Sequence, residues 1–242
     1  MEGNKKDVYS GMKEPYKKKI CDIPPFSVWL VDGEYIRTNI DEEFNNFGQH
    51  YRFTFIPKEE LWIDNEKVKD EEKFYIDHLL AEYRLMSEGA SYSKAIEFAD
   101  RIEKRERKKE IILKRGLEYL DKKHLIETVK KNLLKKYSNS SVDVWIVDGE
   151  LVRSIFFIDF TEGGHDKVYK FIPEGEIWID NDISIKERKF VLLHEAHERD
   201  LMSKGMKYDD AHRDSSRIEF FCRHHPEVLD ETLNKELKKD RI

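Results

Sequence analysis

The chain repeats itself once, without a gap. Val28-Trp29-Leu30-Val31-Asp32-Gly33-Glu34 recurs 116 residues on as Val144-Trp145-Ile146-Val147-Asp148-Gly149-Glu150. Ile56-Pro57 returns as Ile172-Pro173, Trp62-Ile63-Asp64-Asn65 as Trp178-Ile179-Asp180-Asn181, and Leu85-Met86-Ser87 as Leu201-Met202-Ser203, all at the same offset. Arg101-Ile102-Glu103 returns as Arg217-Ile218-Glu219. Roughly 31 of about 76 aligned positions are identical. Solenoid repeats run at roughly 20–50 residues, so this period is the size of a small domain. The expectation is a tandem duplication whose copies pair as a pseudo-two-fold within the chain, much as a homodimer does.

Each copy reads as α+β. Residues 26–31 suggest a strand ending in Asp32-Gly33, a hairpin signal, with 35–38 as its partner. Residues 51–56 and 61–63 suggest two more strands. Helical spacing then takes over at Phe74, His78, Leu79, Glu82, Leu85 and Met86, with Gly89 as a stop signal, and a second helix runs over 92–107. The second copy predicts strands near 144–147, 151–158, 168–171 and 177–179, then helices near 186–204 and 208–223. The expected fold is thus two small antiparallel sheets, each with a helical pair. The expected division is an N-terminal segment 1–25, a first module 26–107, a helical linker 108–142, a second module 143–225 and a C-terminal helix 226–242. The four tryptophans are read as core anchors.

The second copy carries the chemistry, in Leu193-His194-Glu195-Ala196-His197-Glu198. A helix advances about 100° per residue, so His194 and Glu198 share a face one turn apart, while Glu195 points away from His194. This is the layout of a zincin helix, with ligands at i and i+4 and a general base after the first. Zinc accepts imidazole and carboxylate alike, and a catalytic zinc takes three protein ligands and leaves one position open. His212, at the start of the next helix, is the expected third ligand. Glu195 is the expected base. Glu219, two turns beyond His212, is a candidate to orient a ligand imidazole, and Asp180 a weaker one. His197 stays open between an outer-shell group, a fourth ligand and an oxyanion stabiliser; as a fourth ligand it would close the site and make it structural. The first copy keeps the frame as His78, Glu82 and Glu103, but has Leu79, Ala81 and Ile96 at positions 195, 197 and 212. It is expected to be free of metal, with its cleft filled.

Taken with Ile172-Pro173-Glu174-Gly175-Glu176-Ile177-Trp178-Ile179-Asp180 and Tyr208-Asp209-Asp210-Ala211-His212, this helix resembles a family of small zincin-like proteins of phage and environmental sequences. The likeness covers most of the second copy, and only the scaffold of the first. It implies a metal site more than a particular reaction. The expectation that follows is one zinc ion per chain and hydrolysis, foremost of a peptide bond in a peptide or protein substrate. The alternative is a non-enzymatic binding or assembly protein, of the kind a virus encodes, whose site is structural or vestigial.

Composition narrows the partners. The net charge of -6, from 44 Lys+Arg against 50 Asp+Glu, argues against a general nucleic-acid binder, which carries a basic excess. The local run Lys104 to Lys109 is read as a solvated helix face. No apolar run approaches a membrane span, and two distant cysteines suggest no disulfide framework. The expected compartment is the cytoplasm.

Overall fold

The computed structural model describes residues 13–66, 71–115 and 121–239, with side chains from 111 to 115 excepted. It divides into two compact units, Met1–Glu103 and Lys104–Ile242. Among the described residues it is α+β, with two four-stranded mixed sheets and eight helices.

The first unit runs β1 (Tyr16–Ile23), β2 (Phe26–Val31), α1 (Gly33–Asn39), β3 (Phe47–Gln49), β4 (Glu60–Asp64), α2 (Glu72–Ser87) and α3 (Tyr92–Arg115), the last of which continues past the unit's end. The second unit adds α4 (Lys122–Val129), then β5 (Lys130–Leu133), β6 (Asp143–Val147), α5 (Gly149–Ile155), β7 (Gly163–His165), β8 (Glu176–Asp180), α6 (Glu187–Ser203), α7 (Tyr208–His224), a 3-10 turn at Pro226–Val228 and α8 (Leu229–Lys239). The strand orders are β1-β2-β4-β3 and β5-β6-β8-β7. In each sheet the two central strands are parallel and the outer pairings antiparallel. Trp29 opposes Trp62 as Trp145 opposes Trp178, and Gly48 opposes Trp62 as Gly164 opposes Trp178.

Several expectations are corrected here. The sheets are mixed, not antiparallel, because Asp-Gly starts a helix and does not turn a hairpin. Asp32 and Asp148 are N-caps whose carboxylates accept from Tyr35 N and Leu151 N at 3.1 Å, and Glu34 and Glu150 add the first-turn acid that suits the positive end of a helix. The glycines serve close approach, since a Cβ on Gly33 or Gly149 would lie 1.8 or 1.9 Å from the carboxylate of Asp64 or Asp180. The strands expected at 35–38 and 151–158 are therefore helices, and those expected at 51–56 and 168–171 are irregular chain. Strands β3 and β7 were not foreseen, being three residues each and rich in glycine. Strands β1 and β5 are likewise additions, lying in the expected N-terminal segment 1–25 and helical linker 108–142. Residues 116–120 of that linker and 1–12 of the first segment lie outside the described residues.

The β4 and β8 strands are buried along their lengths and build the core on both faces. In the second unit Ile177 and Ile179 meet Phe190, Leu193 and Ala196 of α6 on one face, while Trp178 meets Leu151, Val152, Phe160 and Ile172 on the other. Trp178 and Trp62 are fully buried, and their indole N–H groups donate to Glu176 and Glu60 at 2.7 and 2.8 Å. Truncating either to alanine should cost about 3–5 kcal/mol. Trp29 and Trp145 are only half-buried. No helix among the described residues is long and apolar enough to cross a membrane.

Candidate metal centre

Helix α6 packs its buried face, including His194 and Glu198, against the second sheet. The short turn after Ser203 returns the chain as α7, which lies alongside α6. That return brings His212 back to the first pair. His194 Nε2 lies 3.1 Å from His212 Nδ1, His212 Nδ1 lies 2.9 Å from Glu198 Oε2, and His194 Nε2 lies 3.6 Å from the same oxygen. Donor atoms bound tetrahedrally to zinc at about 2.0–2.1 Å stand about 3.3–3.4 Å apart, so the triangle has the right edges.

The surroundings fix which atoms can bind. His194 Nδ1 faces Glu219 Oε2 at 2.9 Å. With the proton on that nitrogen, the Nε2 lone pair points into the triangle, which is how a carboxylate orients a metal-binding imidazole. Two ring nitrogens facing each other at 3.1 Å need a proton or a cation near them to offset lone-pair repulsion. Glu219 is held in turn by Arg223, whose Nε and Nη2 reach it at 2.9 and 2.8 Å, and Arg223 forks onto Glu187 with two bonds of 2.8 Å. Burial works against Glu219's charge, but His194 and Arg223 prevail and hold its carboxyl down at about 2. Glu198 is likewise buried, yet the three imidazoles of His165, His194 and His212 hold it far below the usual carboxylate range. Burial would lower His194, but Glu198 and Glu219 together raise it well above the ordinary value. Carboxylates and imidazoles thus alternate through the site, with His194 and Glu198 buried. His212 is the most open of its donors, and Tyr208 stacks on its ring with centroids 5.4 Å apart.

Glu195 lies outside the triangle, as its helical angle requires. Its carboxylate is within 4.8 Å of donor atoms of His165 and Glu198 and presses against Gly163 of β7, where a Cβ would stand 3.3 Å from Oε1. Burial, reinforced by the neighbouring Glu198 charge and opposed by His165, pushes Glu195 up to about 7.

His165 was not foreseen from the sequence. Its Nε2 lies 3.0 Å from Glu198 Oε1, and with Glu195 and Glu198 it forms a second cluster of possible metal donors. A hydrogen bond argues against that second cluster. The Lys167 backbone N–H donates to His165 Nδ1 at 3.2 Å, which leaves the proton on Nε2 and makes that atom a donor to Glu198. The first unit carries the same pattern in an amide. Gln49 Nε2 donates to Glu82 Oε1 at 2.6 Å, and the Tyr51 N–H donates to Gln49 Oε1 at 2.7 Å. The alignment of 49 with 165 was the available signal, but a Gln-to-His change reads as drift until the hydrogen bonds are seen.

Two other candidates stand elsewhere. His197 points away from the triangle, with Nδ1 2.9 Å from Glu236 Oε2 and Nε2 3.4 Å from Asp214 Oδ2, so it ties α8 to the α6–α7 pair and is not a fourth ligand. The Glu236 hydrogen bond raises its pKa. Asp180 is bound to Arg153 at 2.5 Å, as Asp64 is to Arg37 at 2.6 Å, and helps close the end of β8.

The first unit keeps the frame without the donors. His78 Nδ1 faces Glu103 at 2.9 Å, matching the His194–Glu219 distance. In place of Glu195 and Gly163 stand Leu79, fully buried, and Phe47, whose ring lies 4.7 Å from Tyr75 and 4.9 Å from His78. The corresponding cleft is filled with apolar side chains. No family model, curated protein or solved structure matches the chain.

Proposed function

We propose that the second unit is a zinc-dependent hydrolase centre, one ion per chain, acting foremost on a peptide bond. The observation that carries this reading is the triangle of His194 Nε2, Glu198 Oε2 and His212 Nδ1, with an oriented carboxylate behind the first imidazole. Zinc held there supplies Lewis acidity that polarises a carbonyl and brings the ionisation of water toward neutral pH. Glu195 sits beside the donors and takes the proton of the attacking water, then returns it to the leaving nitrogen. His165 holds Glu198 in place through Oε1, and Glu219 holds His194. The half-exposed His212 side marks where substrate reaches the donors.

The likeness of the second copy to zincin-like proteins supports the same proposal, with the two modules arising by tandem duplication. Two unpaired cysteines, Cys21 and Cys222, suit a reducing compartment such as the cytoplasm. One observation favours a second reading, a binding or assembly protein with a structural site. The His78–Glu103 frame persists in the first unit with no donor set around it, so the frame has a packing role of its own.

Glu195→Gln separates the readings. Protein purified without chelators or affinity nickel should carry about one zinc per chain by elemental analysis, as a single three-ligand site requires. The variant should keep that zinc and its thermal midpoint while losing hydrolysis of a casein or mixed-peptide substrate by about 100-fold or more. Zinc-free protein that takes up none on titration sinks the hydrolase reading; loss of zinc in the variant makes Glu195 a ligand instead.

A further inference from the structure

A charged helix face in solvent ordinarily mixes the two signs, because opposite charges at i,i+4 support a helix and like charges there oppose it. The outward face of α3 does not mix them. Ala95, Ala99, Glu103 and Arg107 are buried and fix the inward side. On the other side Lys94, Arg101, Lys104, Arg105, Lys108 and Lys109 are exposed, against a single exposed acid, Glu97. The run Lys104 to Lys109 is thus the end of a longer pattern. At about 100° per residue, Lys94, Phe98, Arg101, Arg105 and Lys108 fall within an arc of about 80°, a ridge about 20 Å long.

Arg105 and Lys109 share one carboxylate, Glu106, at 3.2 and 2.9 Å. Among the described residues Lys94, Arg101, Lys104 and Lys108 pair with no carboxylate. Arg101–Arg105 and Lys104–Lys108 are like-charge pairs at i,i+4, so the pattern works against the helix that carries it. An exposed aromatic ring stands in the same ridge. Phe98 is 44% exposed, one turn after Lys94 and one turn before Arg101, whose guanidinium lies 5.7 Å from the ring centroid.

The second unit has the equivalent helix without this face. The matching ridge of α7 is also exposed, and it carries Asp210, Asp214, Arg217, Phe221 and His224. Asp210 and Asp214 stand where Lys94 and Phe98 stand in α3. The shared fold therefore asks for neither the cations nor the ring at the head of the ridge.

We propose that the outward face of α3 binds single-stranded nucleic acid, its cations following the phosphates and Phe98 stacking on a base. A track of cations with an aromatic ring among them holds a single strand without reading its sequence. The chain's net charge of -6 does not oppose this locally, since exposed charges beyond about 10 Å are screened at ~0.1 M salt. A duplex keeps its base faces stacked and gives Phe98 nothing to cover. A lipid surface fits less well, because Ala95 and Ala99 are turned inward and Phe98 is the one large apolar side chain on the outward face.

The test titrates the full chain into a fluorescein-labelled DNA single strand of about 20 nucleotides, and into the RNA strand of the same sequence, and reads anisotropy between about 50 and 200 mM salt. Affinity for at least one strand should fall with salt on a log–log slope near about -3, about 0.7 for each of the four ridge cations. Arg101→Gln should flatten that slope by about 0.7. Phe98→Ala should weaken binding about 5- to 150-fold at every salt concentration and leave the slope unchanged, the loss of one stacked base. Arg217→Gln, at the matching ridge position of α7, should change nothing. All three side chains are exposed, so thermal midpoint and metal content should match the wild type, and the result is independent of the metal reading. Failure of both strands to bind at about 50 mM salt overturns the proposal. Binding that Arg101→Gln and Phe98→Ala leave untouched lies elsewhere on the chain and overturns it too. Equal affinity for a duplex, or for vesicles of anionic lipid, makes the face a general polyanion patch and likewise overturns it.

Discussion

The two units hold the same buried frame around different contents. In the first, His78 stands between Glu82 and Glu103, with Gln49 donating to Glu82 and with Leu79 and Phe47 packed beside it. In the second, His194 stands between Glu198 and Glu219, with His165 in the role of Gln49, and with Glu195, Gly163 and His212 in place of the apolar side chains. The frame alone does not make a metal site. In the first frame Glu103 and Glu82 outweigh the effect of burial and raise His78 to about 9, although its Nε2 stands 3.5 Å from Glu82 without a hydrogen bond. Under the proposed metal reading, the third donor His212, the most exposed of the three, lets a dication take over the proton's role in the second frame.

The largest effect that could break this comparison is on metal content. His194→Ala should abolish zinc uptake, lowering affinity by more than the ~10–100-fold that losing an outer-shell partner costs. His78→Gln should leave about one zinc per chain, read by elemental analysis after dialysis. A halving of zinc content in His78→Gln would mean that the first unit binds metal as it stands.

The next effect belongs to the first unit and to pH. The folded pKa of His78 is raised from 6.5 to about 9. Its contribution to stability is therefore complete below about pH 6.5 and is lost as pH rises through about 9. The shift corresponds to at most about 3 kcal/mol. Urea unfolding of wild type and His78→Gln should differ most near pH 6 and converge near pH 10. A difference that does not change with pH would show that His78 is neutral in the fold and that the first frame holds by hydrogen bonds alone.

A smaller effect tests the support behind the ligand. Glu219→Gln keeps the size of the side chain but weakens its hold on the His194 Nδ1 proton, and also loosens the Arg223–Glu187 fork. Zinc affinity should fall about 10–100-fold, as measured by competition with a chromophoric chelator. Glu103→Gln in the first unit should leave zinc affinity where it was. Equal zinc affinity in Glu219→Gln and wild type would remove Glu219 from the site and make its match to Glu103 purely a packing feature.

The sequence carried the second half of each unit better than the first. The α6 and α7 helices, the core strand around Trp178, and the meeting of His194, Glu198 and His212 follow from helical spacing and a short return turn, which are local properties. The parallel pairing of β6 with β8 is not local. It depends on Asp148 capping a helix, and Asp-Gly is ambiguous between a cap and a hairpin until the approach of the Asp180 carboxylate to Gly149 is known. The edge strands were hidden for a different reason. Gly163-Gly164-His165 has no apolar alternation to signal a strand, since its glycines are there to admit Glu195 and the Tyr169 ring. The role of His197 stayed open in the sequence because it shares a helix with His194 and Glu198, while its partner, Glu236, lies on an element distant in sequence.

The smallest expected effect is the sharpest test of the comparison. If His165 only donates to Glu198, then Gln49 shows how to replace it. His165→Gln should present an amide N–H to Glu198 Oε1 and an amide oxygen to the Lys167 N–H, reproducing the bonds that Gln49 makes to Glu82 and Tyr51. Exchanging one neutral hydrogen-bond donor for another should shift zinc affinity less than about threefold, within the spread of a single hydrogen bond. The competing view makes His165 a ligand, together with Glu195 and Glu198, since their donor atoms lie within 4.8 Å of one another. An amide is a far poorer zinc ligand than imidazole, so that view requires a large loss of affinity or of a second ion. His165→Ala gives the control. It leaves Glu198 Oε1 buried without its donor, which should cost about 1–3 kcal/mol of stability under either view. Only the glutamine variant tells them apart: retained zinc assigns His165 to positioning the carboxylate, and lost zinc moves the centre of the site toward the β7 edge.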